Sequence, residues 1–230
     1  MAVVVRKFPD FPSWVAATQA HIVRNLAEGI GLRGQASLVV SGGKTPVPLF
    51  ESLAECPLDW DRITVTLADE RWVAADGAES TERLVRSHLL CNGAAGAKFI
   101  PLKIDDSTFE TCVADLGVRL EAVPRPFDMV VLGLGEDGHT ASLFPDAPEL
   151  ERGFSTHEAA LMLHPAGQAN ARLSLSAHSL LQSREIILFI QGTAKLRILE
   201  QALEPGPISL LPVRAFLHQD QVPVTVYWSA

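Results

Sequence analysis

The segment GLGEDGHTASLFP, residues 133–145, carries an aspartate and a histidine two positions apart, directly after the apolar run FDMVVL. An imidazole is close to half protonated at roughly pH 6.5, so His139 can take a proton from water at cellular pH. Asp137 can orient the ring or stabilise its cation. We predict that His139 is a general base supported by Asp137, in preference to a helix-capping histidine beside a turn aspartate.

The same segment also spells a dinucleotide-binding fingerprint, with Gly133, Gly135 and Gly138 in the pattern G-x-G-x-x-G. That function requires a long helix after the third glycine and an acidic residue at the end of the next strand. Pro145 and Pro148 follow too soon for such a helix, and no acidic residue ends a strand at the required distance. The glycines are therefore predicted to be turn residues, which disfavours a nicotinamide-dependent dehydrogenase.

A second glycine-containing segment, SGGKT, follows the apolar stretch SLVV. The Walker P-loop needs a further glycine five residues before Gly43, and the sequence lacks it. The backbone of Gly42 and Gly43 can still approach a ligand closely, and N–H groups at a helix start favour an anion. Ser41, Lys44 and Thr45 complete the predicted anion-binding loop; a plain tight turn is the alternative.

Three further cations and one carboxylate lie beside predicted strands. Arg71 can bind a phosphate or carboxylate through two hydrogen bonds, and Asp69 can accept hydrogen bonds from sugar hydroxyls, although surface ion pairing would also explain both. Arg172 begins a predicted strand. Lys195 lies in the first turn of a predicted helix, where a cation opposes the helix dipole by a few tenths of a kcal/mol. A bound anion would offset that cost.

Composition excludes several classes of function. The net charge of −8 is opposite to the basic excess of nucleic-acid binders. No apolar stretch approaches the roughly 18 residues that cross a bilayer, and MAVVVRKFPD reads as a first strand rather than a signal peptide. Neither GxSxG nor HExxH occurs, so a covalent serine mechanism and a zinc-activated water lack support.

The three cysteines, Cys56, Cys91 and Cys112, are widely spaced and form no CxxC pair. We expect buried thiols in a reducing cytosol rather than a disulfide framework or a metal site, and hence a cytoplasmic protein.

Strands alternate with helices along the chain, which predicts an α/β fold with a mostly parallel sheet covered on both faces. Because the sequence shows no internal repeat and no low-complexity linker, residues 1–230 are predicted to form one domain. Ser13 is expected to cap the first helix, and Gly29 or Gly31 to end it. The predicted helices span 13–31, 47–54, 80–90, 108–123, 193–203 and about 209–218. The predicted strands include 37–40, 62–69, 98–102, 127–135, 158–163, 171–176, 185–192 and 222–228.

The segments SGGKTP, ADERWV, GLGEDGHTASLFP, ARLSLS and GTAK occur in the order found in 6-phosphogluconolactonases, a resemblance that spans nearly the whole chain. The superfamily also holds glucosamine-6-phosphate deaminase. The resemblance implies a Rossmann-like three-layer α/β/α sandwich. It implies hydrolysis of 6-phospho-D-glucono-1,5-lactone to 6-phosphogluconate in the oxidative pentose phosphate pathway, with no metal or organic cofactor.

Residue by residue, the resemblance implies that His139 activates water for attack on the lactone carbonyl. Asp137 supports the imidazole, and Arg71 lies close to the sugar and helps with charge. The groups implied to hold the phosphate are the Gly42 and Gly43 backbone, Thr45, Arg172 and Lys195. A sugar-phosphate lactone is thus the expected partner, bound by a monomer or weak dimer.

Two alternative functions remain open. A deaminase or an aldose–ketose isomerase is opposed by Phe144, because the deaminases carry an acidic residue at this position. A non-catalytic sugar-phosphate sensor is opposed by the complete Asp137–His139 pair. The chain also departs from the lactonase pattern at Thr81, where asparagine is usual, and at Lys44, where a smaller polar residue is common.

Overall fold

The computed structural model describes residues 3–104 and 108–230. Met1 and Ala2, which open the segment predicted as the first strand, lie outside the described residues. The strands are β1 (Val4–Phe8), β2 (Ala36–Val40), β3 (Ile63–Leu67), β4 (Asp69–Arg71), β5 (Lys98–Ile100), β6 (Met129–Leu132), β7 (Ala160–Leu163), β8 (Arg172–Leu175), β9 (Ile186–Gln191) and β10 (Val224–Ser229). The α-helices are α1 (Phe11–Arg33), α2 (Val47–Ala54), α3 (Thr81–His88), α4 (Phe109–Leu120), α5 (Leu150–Ser155), α6 (Ala177–Leu181), α7 (Thr193–Leu203) and α8 (Arg214–Leu217).

Seven strands form the central sheet in the order β1-β10-β9-β6-β2-β3-β5, and every neighbouring pair is parallel. All residues of β2, β3 and β6 are buried, as apolar strands covered on both faces should be. Helices flank the sheet, so the predicted mostly parallel α/β fold is confirmed. The carboxyl ends of β2, β6 and β9 meet at one edge, where α/β proteins bind their ligands.

A second sheet of three antiparallel strands, in the order β4-β8-β7, was not predicted. The strands expected over 158–163 and 171–176 exist, but they pair with each other and with β4 instead of joining the parallel sheet. Consequently the strand expected over 62–69 ends at Leu67, and Asp69 already belongs to β4. The pairing places Arg71 directly opposite Arg172.

The ends of the first helix were predicted wrongly. The carboxylate of Asp10 accepts a hydrogen bond from the backbone N–H of Ser13 at 2.8 Å, so Asp10 is the cap and α1 begins before Ser13. The helix continues past Gly29 and Gly31. It ends at Gly34, whose φ of +75° is the left-handed conformation that glycine adopts without strain.

Two other elements are shorter than predicted. The strand expected over 127–135 is reduced to β6, because the N–H of Gly135 donates to the carbonyl of His139 in a tight loop rather than to a neighbouring strand. The helix expected over 209–218 is reduced to α8, since a turn between Pro207 and Leu210 occupies its first part. In the described ranges, no helix combines the length and apolar character needed to span a bilayer.

Candidate active site

A cavity of about 290 Å³ opens at the carboxyl ends of β2 and β6, between the two sheets. The structure brings almost all predicted site residues into its wall. Those that line it are Ser41, Gly42, Gly43, Lys44, Thr45, Asp69, Arg71, His139, Arg172 and Lys195. Asp137 is the exception, and it reaches the cavity through His139.

His139, the predicted base, lines this cavity and is paired with Asp137. Nδ1 of His139 lies 2.5 Å from Oδ1 of Asp137, which also accepts the backbone N–H of His139 at 3.1 Å. A carboxylate can only accept, so Nδ1 carries the hydrogen and the lone pair of Nε2 is left free in the neutral ring. Partial burial would raise the pKa of Asp137, but hydrogen bonding and the charge of His139 hold it below its ordinary value.

Glycines make room for this pair. A Cβ built on Gly135 would overlap both the His139 ring and the Asp137 carboxylate. Gly138 adopts a φ of +81°, and its N–H donates to the carbonyl of Gly135 at 3.1 Å. The loop therefore folds back on itself, and only a residue without a side chain fits at position 135.

The glycine loop between β2 and α2 forms another part of the wall. Gly43 has a φ of +98°, a left-handed conformation that glycine favours. Among the described residues, the buried hydroxyls of Ser41 and of Thr81, which packs against Gly42, have no hydrogen-bond partner. Buried polar groups are normally paired, so an unpaired hydroxyl at a cavity wall is suited to a polar ligand.

Two arginines face each other across the antiparallel pair of β4 and β8. Like charges directly opposite in a sheet are destabilising. Burial, followed by the charge of Arg71, lowers the pKa of Arg172. The guanidinium of Arg172 donates to the side chain of Gln168, while its Nε finds no partner within the described residues. Arg71 donates to the carbonyl of Glu79 at 2.7 Å. An anion between the two guanidinium groups would relieve their repulsion.

Lys195 adds a third cation from the first turn of α7. Burial lowers the pKa of its ammonium group, and the charge of Glu136 partly opposes that shift. Within residues 3–104 and 108–230, neither Lys195 nor Arg172 has a carboxylate within 4.0 Å. Among the described residues, these half-buried cations of the cavity wall therefore have no directly paired carboxylate, although Asp69, Glu79 and Glu136 lie near enough to influence them.

Asp69 is the carboxylate of the cavity wall. Its Oδ2 accepts a hydrogen bond from the Ser142 hydroxyl at 2.5 Å, and the side chain is buried. A fixed carboxylate that lines a cavity can accept hydrogen bonds from ligand hydroxyl groups.

Sequence reasoning did not identify Gln168, which lines the cavity and holds Arg172. It lies in the loop before β8, and no motif distinguishes it there. Phe144 was noted only as a difference from the deaminases, yet it also lines the cavity. In the described part of the chain, no group of three or more His, Cys, Asp or Glu side chains could hold a metal ion.

The sequence and the structure of the chain were compared with those of known proteins. A sequence model described as glucosamine-6-phosphate isomerases/6-phosphogluconolactonase matches residues 9–228. The chain belongs to this family. A 6-phosphogluconolactonase from Pseudomonas putida is 41% identical over 99% of this chain and 93% of its own. One from Pseudomonas aeruginosa is 42% identical over 91% and 87%, respectively. The crystal structure of a 6-phosphogluconolactonase from Shewanella baltica OS155 superposes with a TM-score of 0.97, at 44% identity, covering 99% of this chain and 98% of that one.

Proposed function

We propose that this protein is a 6-phosphogluconolactonase, which hydrolyses 6-phospho-D-glucono-1,5-lactone to 6-phosphogluconate in the oxidative pentose phosphate pathway. The observation that carries the proposal is one cavity whose wall holds both a carboxylate-supported imidazole and two cations, Arg172 and Lys195, that have no directly paired carboxylate among the described residues. The relatives that bear this name match along almost the whole chain.

His139 acts as the general base in this proposal. Its Nε2 takes a proton from a water molecule while the water oxygen forms a bond to the lactone carbonyl carbon. The resulting imidazolium is stabilised by Asp137, whose Oδ1 lies 2.5 Å from Nδ1. Arg71, at the same cavity, offsets the negative charge that develops on the carbonyl oxygen.

The tetrahedral intermediate then collapses, and the bond between the carbonyl carbon and the ring oxygen breaks. The proton on Nε2 of His139 passes to the leaving ring oxygen, which becomes the hydroxyl at carbon 5. The base is regenerated, and water has been added across the ester bond without any other reactant.

The remaining wall residues orient the substrate. The phosphate is held by Arg172, Lys195, Thr45 and the glycine loop, all of which line the cavity. Asp69 accepts hydrogen bonds from sugar hydroxyls. Binding energy from the distant phosphate serves to hold the carbonyl in place for attack. Local attraction of this kind explains how a protein with a net charge of −8 binds a dianion.

The decisive experiment follows the loss of freshly prepared lactone at slightly acidic pH, where the uncatalysed reaction is slow, with and without protein. We expect His139→Ala to keep the fold and lose about 10²–10⁴-fold in kcat. His164→Ala is the matched control, since His164 contacts Glu149 at 2.8 Å in the same kind of pair but does not line the cavity.

Three results would contradict the proposal. Turnover by His139→Ala at the wild-type rate would show that another group is the base. Ammonia release from glucosamine 6-phosphate would favour a deaminase. Tight binding of 6-phosphogluconate without any turnover of the lactone would favour a sensor.

A further inference from the structure

Phe144 contacts the proposed base directly. Its ring is stacked on the imidazole of His139, with centroids 3.9 Å apart and an angle of 26° between the planes. The phenyl group is almost completely buried, so its own position is fixed by packing. The two residues meet because the chain reverses between them, with the N–H of Leu143 donating to the carbonyl of Thr140 and Ala141 in the left-handed region at φ +48°.

The hydrogen bond to Asp137 fixes only one atom of the imidazole ring, Nδ1. Rotation about the bond between Cβ and Cγ would tilt the ring and move Nε2, the atom that must reach the water. A flat buried surface stacked on one face opposes that rotation, since offset stacking is a preferred arrangement of aromatic pairs. Phe144 supplies such a surface.

The same phenyl ring also lies near the cation that we assign to the phosphate. The central carbon of the Arg172 guanidinium is 5.7 Å from the Phe144 centroid, within the range of a cation–π contact. One buried side chain therefore lies against both the base and the anion-binding group, so its packing influences the separation between them. Productive attack requires that separation to match the distance from phosphate to carbonyl in the substrate.

We propose that Phe144 is a positioning residue that holds the plane of the His139 imidazole and fixes its distance from Arg172. The expected effect on turnover rests on the proposed lactonase function. The structural part of the proposal does not, because it concerns the histidine ring of the free protein.

The test uses the full chain labelled with ¹³C and ¹⁵N at histidine, with the His139 signals identified by their loss in His139→Gln. Protons above an aromatic ring resonate upfield. In Phe144→Leu we expect the His139 ring protons to move downfield, kcat for the lactone to fall about 10- to 100-fold, and KM to change less than kcat.

Phe127→Leu is the matched control. Phe127 lies two residues before β6, is fully buried and does not line the cavity. Its ring also contacts a guanidinium, since the central carbon of the Arg125 guanidinium lies 4.4 Å from the ring centroid. This substitution removes a similar amount of core packing, so we expect a comparable loss of stability. We expect no change in the His139 ring-proton resonances and no fall in kcat.

An unmoved His139 resonance in Phe144→Leu would overturn the proposal, and so would an unchanged kcat in a protein whose wild type hydrolyses the lactone. If the wild type has no lactonase activity, the proposed function fails. The His139 signals then decide on their own. Broadened or doubled His139 ring signals in Phe144→Leu, which the loss of a ring current alone does not produce, would show that Phe144 holds the imidazole, and sharp single signals would overturn the proposal.

Discussion

The two edges of the central sheet, one at each end of its parallel strands, differ in whether their buried charges have partners. At the edge where β6 begins, Asp128 is almost completely buried, and its carboxylate has both cationic and hydrogen-bond partners. It is paired with Arg33, lies 3.6 Å from Nε of Arg184, and accepts the backbone N–H of Ser37 at 2.9 Å. Such pairing is what a buried carboxylate requires in order to remain charged.

At the edge where β6 ends, several charged and polar groups lack partners among the described residues. Arg172 faces another arginine, Lys195 has no carboxylate partner among the described residues, and the hydroxyl of Ser41 has no hydrogen bond there. Because leaving buried polar groups unpaired costs stability, we propose that this edge serves a bound molecule as well as the fold. Substitutions at the first edge should therefore affect stability, and substitutions at the second should affect turnover.

The largest effect is expected from Asp128→Ala. Removing the carboxylate leaves the N–H of Ser37 and two guanidinium groups without their acceptor, which should lower the free energy of unfolding by about 3 kcal/mol. Urea denaturation measures it. Asp115→Ala, which breaks an exposed pair with Arg119, should cost less than about 1 kcal/mol. A large loss of kcat in folded Asp128→Ala would contradict the expectation that this edge affects stability rather than turnover.

Gly135→Ala should act on turnover. The added methyl group would collide with the His139 ring and displace it, so kcat should fall about 10²-fold, which corresponds to roughly 2.7 kcal/mol of activation free energy. Gly117→Ala in α4 adds the same group where nothing lies within 4 Å, and its kcat should not change. Normal turnover by Gly135→Ala would mean that the loop from Gly135 to His139 is not restrained as the structure shows.

Lys195→Ala should raise KM for the lactone about 10-fold, roughly 1.4 kcal/mol, with a smaller change in kcat. Because the burial that lowers the pKa of Lys195 disfavours its charge, removing it should leave the free energy of unfolding unchanged or slightly higher. Steady-state kinetics and urea denaturation of one preparation test both statements. Destabilisation without a change in KM would place Lys195 with the structural charges.

The smallest effect is expected from Asp137→Asn on acid stability. The pKa of Asp137 is lowered in the folded protein from an ordinary value of 3.8, so its carboxylate stabilises the fold above about pH 4. That contribution is lost as the pH falls through the lowered pKa. Since the carboxylate is 44% exposed, we expect well under 1 kcal/mol. Unfolding curves at pH 7 and pH 3 should show less acid sensitivity in Asp137→Asn; equal sensitivity would contradict the assignment.

Local signals predicted much of the fold, and they indicated most of the residues that the structure places around the cavity. The helix expected over 47–54 has those bounds. The helix expected from Ser80 onward begins directly after that residue, whose hydroxyl caps α3 by accepting the N–H of Arg83 at 3.1 Å. Glycine turns after apolar strands correctly indicated the two loops that meet at the cavity. These features depend on a few neighbouring residues, which is why the sequence displays them.

Contacts between distant segments were not predictable in this way. Nothing near Arg71 indicates that Arg172 lies opposite it, because the register of β4 and β8 joins segments about a hundred residues apart. The contact of Gln168 with Arg172 and the stacking of Phe144 on His139 join residues that are close in sequence, but they depend on loop conformations that no local motif indicates. The predicted single domain, monomeric or weakly dimeric state and cytoplasmic location stay predictions.

The sequence by itself determined the alternation of strands and helices and the chemical groups at the strand ends, because hydrophobic period, capping and glycine turns act over short distances. The tertiary structure decided which of those groups share one cavity and which of the described cations have no directly paired carboxylate. That depends on strand order, on the second sheet and on burial, and these are set by packing of the whole chain at once.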